Sequence, residues 1–218
     1  MHEPYPLFAC LRVQPVLIHT PAASGYTLRC CRDDHAEGNA EEHADGYAAE
    51  PDPVFLGRDG AVFAFRSTGT LVEFLGSGEA HDLAGLPNWD PPDWNEVALV
   101  ADIALTYVAH EQYPVCRLDA DAIAGVFRRE PSFDTVQEAL ETFGVARELA
   151  VCADLGPVRE ALAPGSVLRR FEDDLRWAYF TKAGLQNRPR PADHDHDALA
   201  ATWAEVAARV VPVVRFRD

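Results

Sequence analysis

The sequence predicts an α+β fold, in which a small antiparallel β-sheet of about four strands carries a covering helix and precedes a mainly helical C-terminal region. Three observations support this class. Apolar strand-like runs alternate with turn residues near the N-terminus, a helix-capping pattern follows them at once, and apolar residues recur at helical spacing after residue 94.

The four strand-like runs form two predicted hairpins, because each pair of runs is separated by a short segment rich in turn residues. Pro15 interrupts the first run, which favours an edge strand or a bulge there. The runs, in order, are Phe8–Thr20 and Tyr26–Arg32 around the turn Pro21–Gly25, then Val54–Leu56 and Ala61–Phe65 around the turn Gly57–Gly60.

A helix to about Leu75 is predicted directly after the second hairpin. Thr70 and Glu73 have the spacing of a capping box, and Ser67 is a second possible cap. This helix supplies the cover for one face of the predicted sheet.

The rest of the chain reads as helices separated by Pro- and Gly-containing connections. We expect one unit at 1–80, a Pro-rich connector, and a helical unit at 94–218, either as independent domains or around one shared core. The predicted elements are helices at 94–111 and 119–129, helices beginning at Asp134 (ending at Gly144), Pro157, Ser166 and Asp197, and a closing strand Val213–Phe216.

The net charge of −16 is concentrated in one segment. Eight acidic residues and no Lys or Arg fall between Asp33 and Asp52, so we expect residues 33–53 to form a mobile, solvated loop. Negative charge opposes binding to nucleic acids and to anionic lipids. A protein that mimics nucleic acid is a weaker alternative, since such proteins spread their acidic residues over folded faces.

The compartment predicted from the sequence is the cytoplasm. No apolar run approaches the ~20 residues of a membrane span, and the N-terminus lacks the pattern of a signal peptide. The five cysteines are odd in number and contain no Cys-x-x-Cys pair. We therefore expect reduced thiols, with Cys116 and Cys152 in the core. The adjacent Cys30 and Cys31 suggest redox or soft-metal chemistry, but neighbouring residues of a strand point to opposite faces.

The best metal-binding pattern is the stretch Asp193–Asp197, which contains His194 and His196. Imidazole and carboxylate groups suit Zn²⁺, Mn²⁺ or Fe²⁺. Acidic residues are also typical of helix N-termini, so a solvated loop followed by a cap explains the same pattern. His35 and His43 lie among acids in the predicted loop, where the entropy lost on ordering opposes a tight site.

Other catalytic templates fail. His110 and Glu111 begin a zinc-protease motif, but Pro114 stands where its second histidine is required. There is no nucleophile elbow and no phosphate-binding glycine loop. The acidic residues Glu172–Asp174 lie three and four positions from arginines, a spacing that predicts surface ion pairs.

Trp89 and Trp94 lie in the Pro-rich connector and are candidate interaction residues, because Trp is favoured at interfaces. A plug between two subdomains is the alternative for them. Together these observations favour a non-enzymatic cytoplasmic accessory protein without a cofactor, acting through a protein partner or self-association and not through nucleic acid or membrane. The rival is a metal-dependent hydrolase that uses His194 and His196.

Overall fold

The computed structural model describes residues 13–31, 53–86, 89, 114–119, 126, 133–180 and 194–218. The predicted acidic loop, apart from Pro53, lies outside these ranges, as do Trp94 and the predicted helix at 94–111. Most of the predicted helix at 119–129 also falls outside them.

Both predicted hairpins are present. Val13–His19 (β1) pairs antiparallel with Ser24–Cys31 (β2) over the full length of β1, and the second hairpin turns at Asp59 and Gly60. Both turn residues have positive φ (54° and 75°), as a two-residue hairpin turn of the mirror-image type requires. The strands are β1 (Val13–His19), β2 (Ser24–Cys31), β3 (Pro53–Phe55), β4 (Gly57–Arg58), β5 (Ala61–Phe65), β6 (Val115–Arg117) and β7 (Val214–Arg217).

The sheet is larger than the sequence predicts. Within the described residues it has seven strands in the order β4-β5-β2-β1-β6, with β3 also on β2 and β7 on β5. β6 and β7 come from the second half of the chain and pair parallel with β1 and β5. The α+β class is confirmed, but the sheet is mixed and not a four-stranded antiparallel one.

In the described ranges, five α-helices follow from the predicted signals, although several boundaries differ. The helices are α1 (Thr68–Gly76), α2 (Phe133–Cys152), α3 (Gly156–Ala161), α4 (Val167–Phe180) and α5 (His196–Val210), with 3₁₀ helices at Asp82–Gly85 and Val211–Val213.

The structure corrects two cap predictions and the predicted end of one helix. Ser67, and not Thr70, caps α1, because its hydroxyl accepts a hydrogen bond from the Thr70 amide at 3.1 Å. Asp195, and not Asp197, caps α5. α2 also runs through Gly144 for two further turns, since a single glycine weakens a well-packed helix without ending it.

The sheet is covered on both faces. On one face, helices α2 to α5 pack against the sheet in a core that contains the large side chains Phe143, Phe171 and Trp203. On the other face, α1 and the first 3₁₀ helix cover a smaller core. β5 is buried throughout because alternate residues point into each core: Val62 and Ala64 into the larger, Ala61, Phe63 and Phe65 into the smaller.

The outer edge of β6 is hydrogen-bonded by side chains of α2. Thr142 donates its hydroxyl proton to the Val115 carbonyl and accepts from the Arg117 amide, each at 3.1 Å. A carboxylate oxygen of Glu141 accepts from the Val115 amide at 3.2 Å. A helix thus takes the place of a neighbouring strand along this edge.

In the part of the chain that is described, none of the helices has both the length and the apolar character needed to cross a membrane.

Candidate functional site

The predicted metal ligand His194 is held by one carboxylate. Its Nε2 lies 2.8 Å from Oδ2 of Asp174 on α4, and both side chains are largely buried. The ring also stands edge-on to Phe171 at a centroid distance of 5.4 Å. His196 is the first residue of α5. These contacts make His194 a tie between α4 and the start of α5.

The described residues contain no group of three or more His, Cys, Asp or Glu side chains arranged to hold a metal ion. His35 and His43 lie outside these residues, so their predicted role is not addressed by the structure.

Glu172 corrects the expectation of surface ion pairs on α4. Its side chain is 0% exposed, and three arginines surround it. Arg147 of α2 donates from Nη2 to Oε2, Arg176 donates to Oε1 at 3.0 Å, and Arg169 lies 3.5 Å from Oε2. Charge-assisted hydrogen bonds of this kind are what allows a carboxylate to be buried. The cluster of Arg147, Arg169, Glu172 and Arg176 is called the Glu172 cluster below.

Two further charged pairs join the sheet to α2. Arg29 of β2 donates from Nη1 to Glu148 at 2.5 Å and from Nε to Gln14 of β1 at 2.9 Å. Arg117 of β6 donates to Glu138. Each of these pairs therefore joins two elements of the fold.

A chain of aromatic side chains runs from the smaller core towards the surface. Phe65 contacts Phe74 of α1 at a centroid distance of 5.1 Å, Phe74 contacts His81 at 5.9 Å, and His81 contacts Trp89 at 5.2 Å. Trp89 is half-buried, and its backbone amide donates to the Leu86 carbonyl at 3.0 Å. The predicted interaction residue therefore belongs to a packed aromatic array.

Arg217 fixes the C-terminal strand to the same core. Its guanidinium carbon lies 4.7 Å from the ring centroid of Phe63 and 4.9 Å from that of Phe74. Nη1 donates to Glu79 at 2.8 Å. Cation–π contacts with two rings and an ion pair with one carboxylate hold this side chain in place.

His81 also caps the first 3₁₀ helix. Its Nδ1 accepts a hydrogen bond from the Ala84 amide at 3.2 Å, which requires that nitrogen to be unprotonated. Burial lowers the pKa of His81, against a smaller opposite effect of Asp82. The neutral ring is therefore the form that the fold selects.

A serine–histidine contact was missed by the sequence reasoning. At the end of the first hairpin, Nδ1 of His19 lies 2.6 Å from Oγ of the exposed Ser24. Burial and, to a smaller extent, the charge of Arg117 lower the pKa of His19, while Glu138 and Asp119 act in the opposite direction. The two residues are directly opposite in the β1–β2 register, so the contact closes the hairpin. A pair of residues that face each other across a hairpin can be predicted from a sequence only when the position of the turn is known.

Three cysteines whose side chains the structure describes have free thiols. Cys30 and Cys116 are buried, and Cys152 is half-buried against the larger core. Burial raises the pKa of Cys116 far above its usual range and also raises that of Cys152. Since the thiolate is the reactive form, neither is set up as a nucleophile.

The family model of the SatS C-terminal domain matches residues 13–211. The chain belongs to the SatS C-terminal domain family. A crystal structure of a SatS C-terminal domain in complex with bromine resembles it with a TM-score of 0.59 and 18% sequence identity, covering 96% of each chain. At this identity the likeness shows that the two share a fold. No curated protein matches the chain.

Proposed function

We propose that this chain, a member of the SatS C-terminal domain family, is a non-enzymatic accessory domain that works in the cytoplasm by binding a protein, through the surface around Trp89. The observation that carries the proposal is the aromatic array that includes this half-buried side chain. Trp is the residue type most enriched among interface anchors, and an anchor binds better when its conformation is fixed before the partner arrives.

The packing around Trp89 supplies that fixed conformation. His81 packs edge-on against the indole and is itself held by the hydrogen bond from Ala84 and by the ring of Phe74. The side chain of Trp89 is therefore held in place before a partner covers it, and little rotamer entropy would be lost on binding.

The arrangement of ionisable groups also favours binding over catalysis. In the described parts of the chain, the buried carboxylate of Glu172 pairs with Arg147 of α2 and the carboxylate of Asp174 contacts His194 before α5, so each links α4 to another segment. An active site instead gathers titratable groups in a cleft with perturbed pKa values.

Site-specific photo-cross-linking tests the proposal. A photoreactive amino acid at the exposed Ala84, beside the array, should give discrete adducts in cells that produce the domain. The same amino acid at the exposed Glu160 on α3 is the matched control and should give none of these adducts. The Trp89→Ala variant should abolish the adducts formed from position 84.

Mass spectrometry of the adducts separates a second protein from self-association. If positions 84 and 160 give the same adducts, or if Trp89→Ala leaves them unchanged, the surface around Trp89 is not the binding site.

The rival function, a metal-dependent hydrolase, has its own test. Stoichiometric metal in the purified domain that is lost in the His194→Ala/His196→Ala double variant would favour the rival. The paired Asp174 carboxylate at 2.8 Å from His194 argues for a structural tie instead.

A further inference from the structure

We propose that the Glu172 cluster is a binding site for a phosphate group, formed by the partly exposed side chains of Arg147 and Arg176 with Arg169 beside them. The inference does not depend on the protein-binding proposal, because it concerns the opposite, helical side of the sheet.

The first argument is a surplus of hydrogen-bond donors. A guanidinium group has five N–H donors in a fixed planar arrangement, and a carboxylate accepts about four hydrogen bonds. Arg147 donates to Glu172 from Nη2, and its Nε is inaccessible to solvent, so only its remaining terminal N–H groups can reach a ligand. Arg176 directs Nε and Nη2 to one oxygen of Glu172, so its second edge is not used by the carboxylate.

The second argument is the local charge. Three arginines face two carboxylates, those of Glu172 and of Asp173, which lies 3.1 Å from Nε of Arg169. One positive charge therefore remains in a chain whose net charge is −16. A positively charged cluster of this kind attracts an anion even though the chain as a whole is negatively charged.

The third argument is that the donors are both fixed and accessible. Glu172 is fully buried and holds Arg147 and Arg176 through its two different oxygens, so the two guanidinium groups stand close together. The side chains of Arg147 and Arg176 nevertheless remain 29% and 52% exposed. A tetrahedral oxyanion has several oxygens and can accept paired, parallel hydrogen bonds from two adjacent guanidinium edges, whereas a chloride ion is a single spherical acceptor.

The test is calorimetric titration of the full chain with inorganic phosphate at constant ionic strength. We expect saturable binding that the Arg176→Gln variant weakens about tenfold, since one charge-assisted hydrogen-bonded contact is lost. The Arg147→Lys variant keeps the charge but loses the planar donor arrangement, and it should weaken binding similarly. Arg58→Gln removes the same charge from an exposed arginine on β4 and should change the affinity less than about twofold.

Phenyl phosphate, titrated in parallel, separates the two sources of a phosphate group. Binding of both ligands assigns the site to phosphomonoesters, and binding of inorganic phosphate alone assigns it to the free ion. The proposal is overturned if chloride at equal ionic strength produces the same heat, or if Arg58→Gln and Arg176→Gln weaken binding equally.

Discussion

Replacing Glu172 with glutamine tests whether the Glu172 cluster stabilises the fold. The amide keeps the size of the carboxylate but has one acceptor oxygen, and its NH₂ group opposes the guanidinium donors. Arg147 would then have no charged acceptor within the described residues. Removing one member of a fully buried pair destabilises a protein by about 3–5 kcal/mol.

The arginines here are partly exposed, so water screens part of that loss. We expect Glu172→Gln to lower the free energy of unfolding by about 2–3 kcal/mol. For a chain of this length that corresponds to a fall of about 4–12 °C in Tm. Asp173→Asn is the matched control, because its half-exposed carboxylate pairs with Arg169 on the same helix and is expected to contribute at most about 1 kcal/mol.

Urea unfolding followed by tryptophan fluorescence measures both variants, and an unchanged m-value shows that the comparison is valid. Adding Arg147→Met to Glu172→Gln closes a double-mutant cycle and isolates the coupling of this pair. If Glu172→Gln and Asp173→Asn differ by less than about 0.5 kcal/mol, the buried carboxylate is not a structural centre and the reasoning fails.

Three further predictions follow from local geometry. A Cβ at Gly57 would lie 2.0 Å from the Ala61 carbonyl oxygen, so Gly57→Ala should reduce soluble, folded protein sharply, whereas Gly85→Ala meets nothing within 4 Å and should be tolerated; circular dichroism and Tm distinguish them. Burial lowers the pKa of His81, so the unfolded chain binds more protons below pH ~6.5, and stability should fall as the pH drops through that value. His81→Asn keeps a capping acceptor without titrating and should flatten this part of the stability–pH curve; an unchanged slope would contradict the assignment. Cys116 is fully buried with a raised pKa and should resist alkylation in the native state but react in urea, as mass spectrometry can show.

Local signals account for much of the fold. Alternating apolar residues and the turn at Asp59 and Gly60 predict the second hairpin, and the spacing after Ser166 predicts α4 with Ser166 as its cap. These signals are carried by neighbouring residues, and the structure confirms the elements they specify.

The pairing of β6 and β7 has no comparable signal. Val115 lies opposite Leu17, and Val214 lies opposite Val62, in parallel registers that join distant parts of the chain. A parallel pair contains no tight turn, and β6 is only three residues long, so neither composition nor periodicity marks it. The predicted sheet was therefore too small.

The burial of Glu172 could not be predicted from the sequence for a related reason. A spacing of three or four residues between Glu172 and its arginines occurs equally on an exposed and on a buried side of a helix. The contact that distinguishes the buried side here is made by Arg147, which lies on α2 and reaches the carboxylate from outside α4. Only the packing of the two helices brings it there, and no pattern within α4 contains that information.

The edges of the sheet bear on how a partner would bind. Thr142 and Glu141 already occupy the hydrogen-bonding groups of β6, so a partner strand cannot extend the sheet there without displacing α2. On β7 the exposed Arg215 places a charge on the strand, a feature that discourages pairing between edges. These two edges support our proposal of recognition through side chains, at the surface around Trp89, over strand addition. The Trp89→Ala variant distinguishes the two modes, because it removes a side chain and leaves both sheet edges intact.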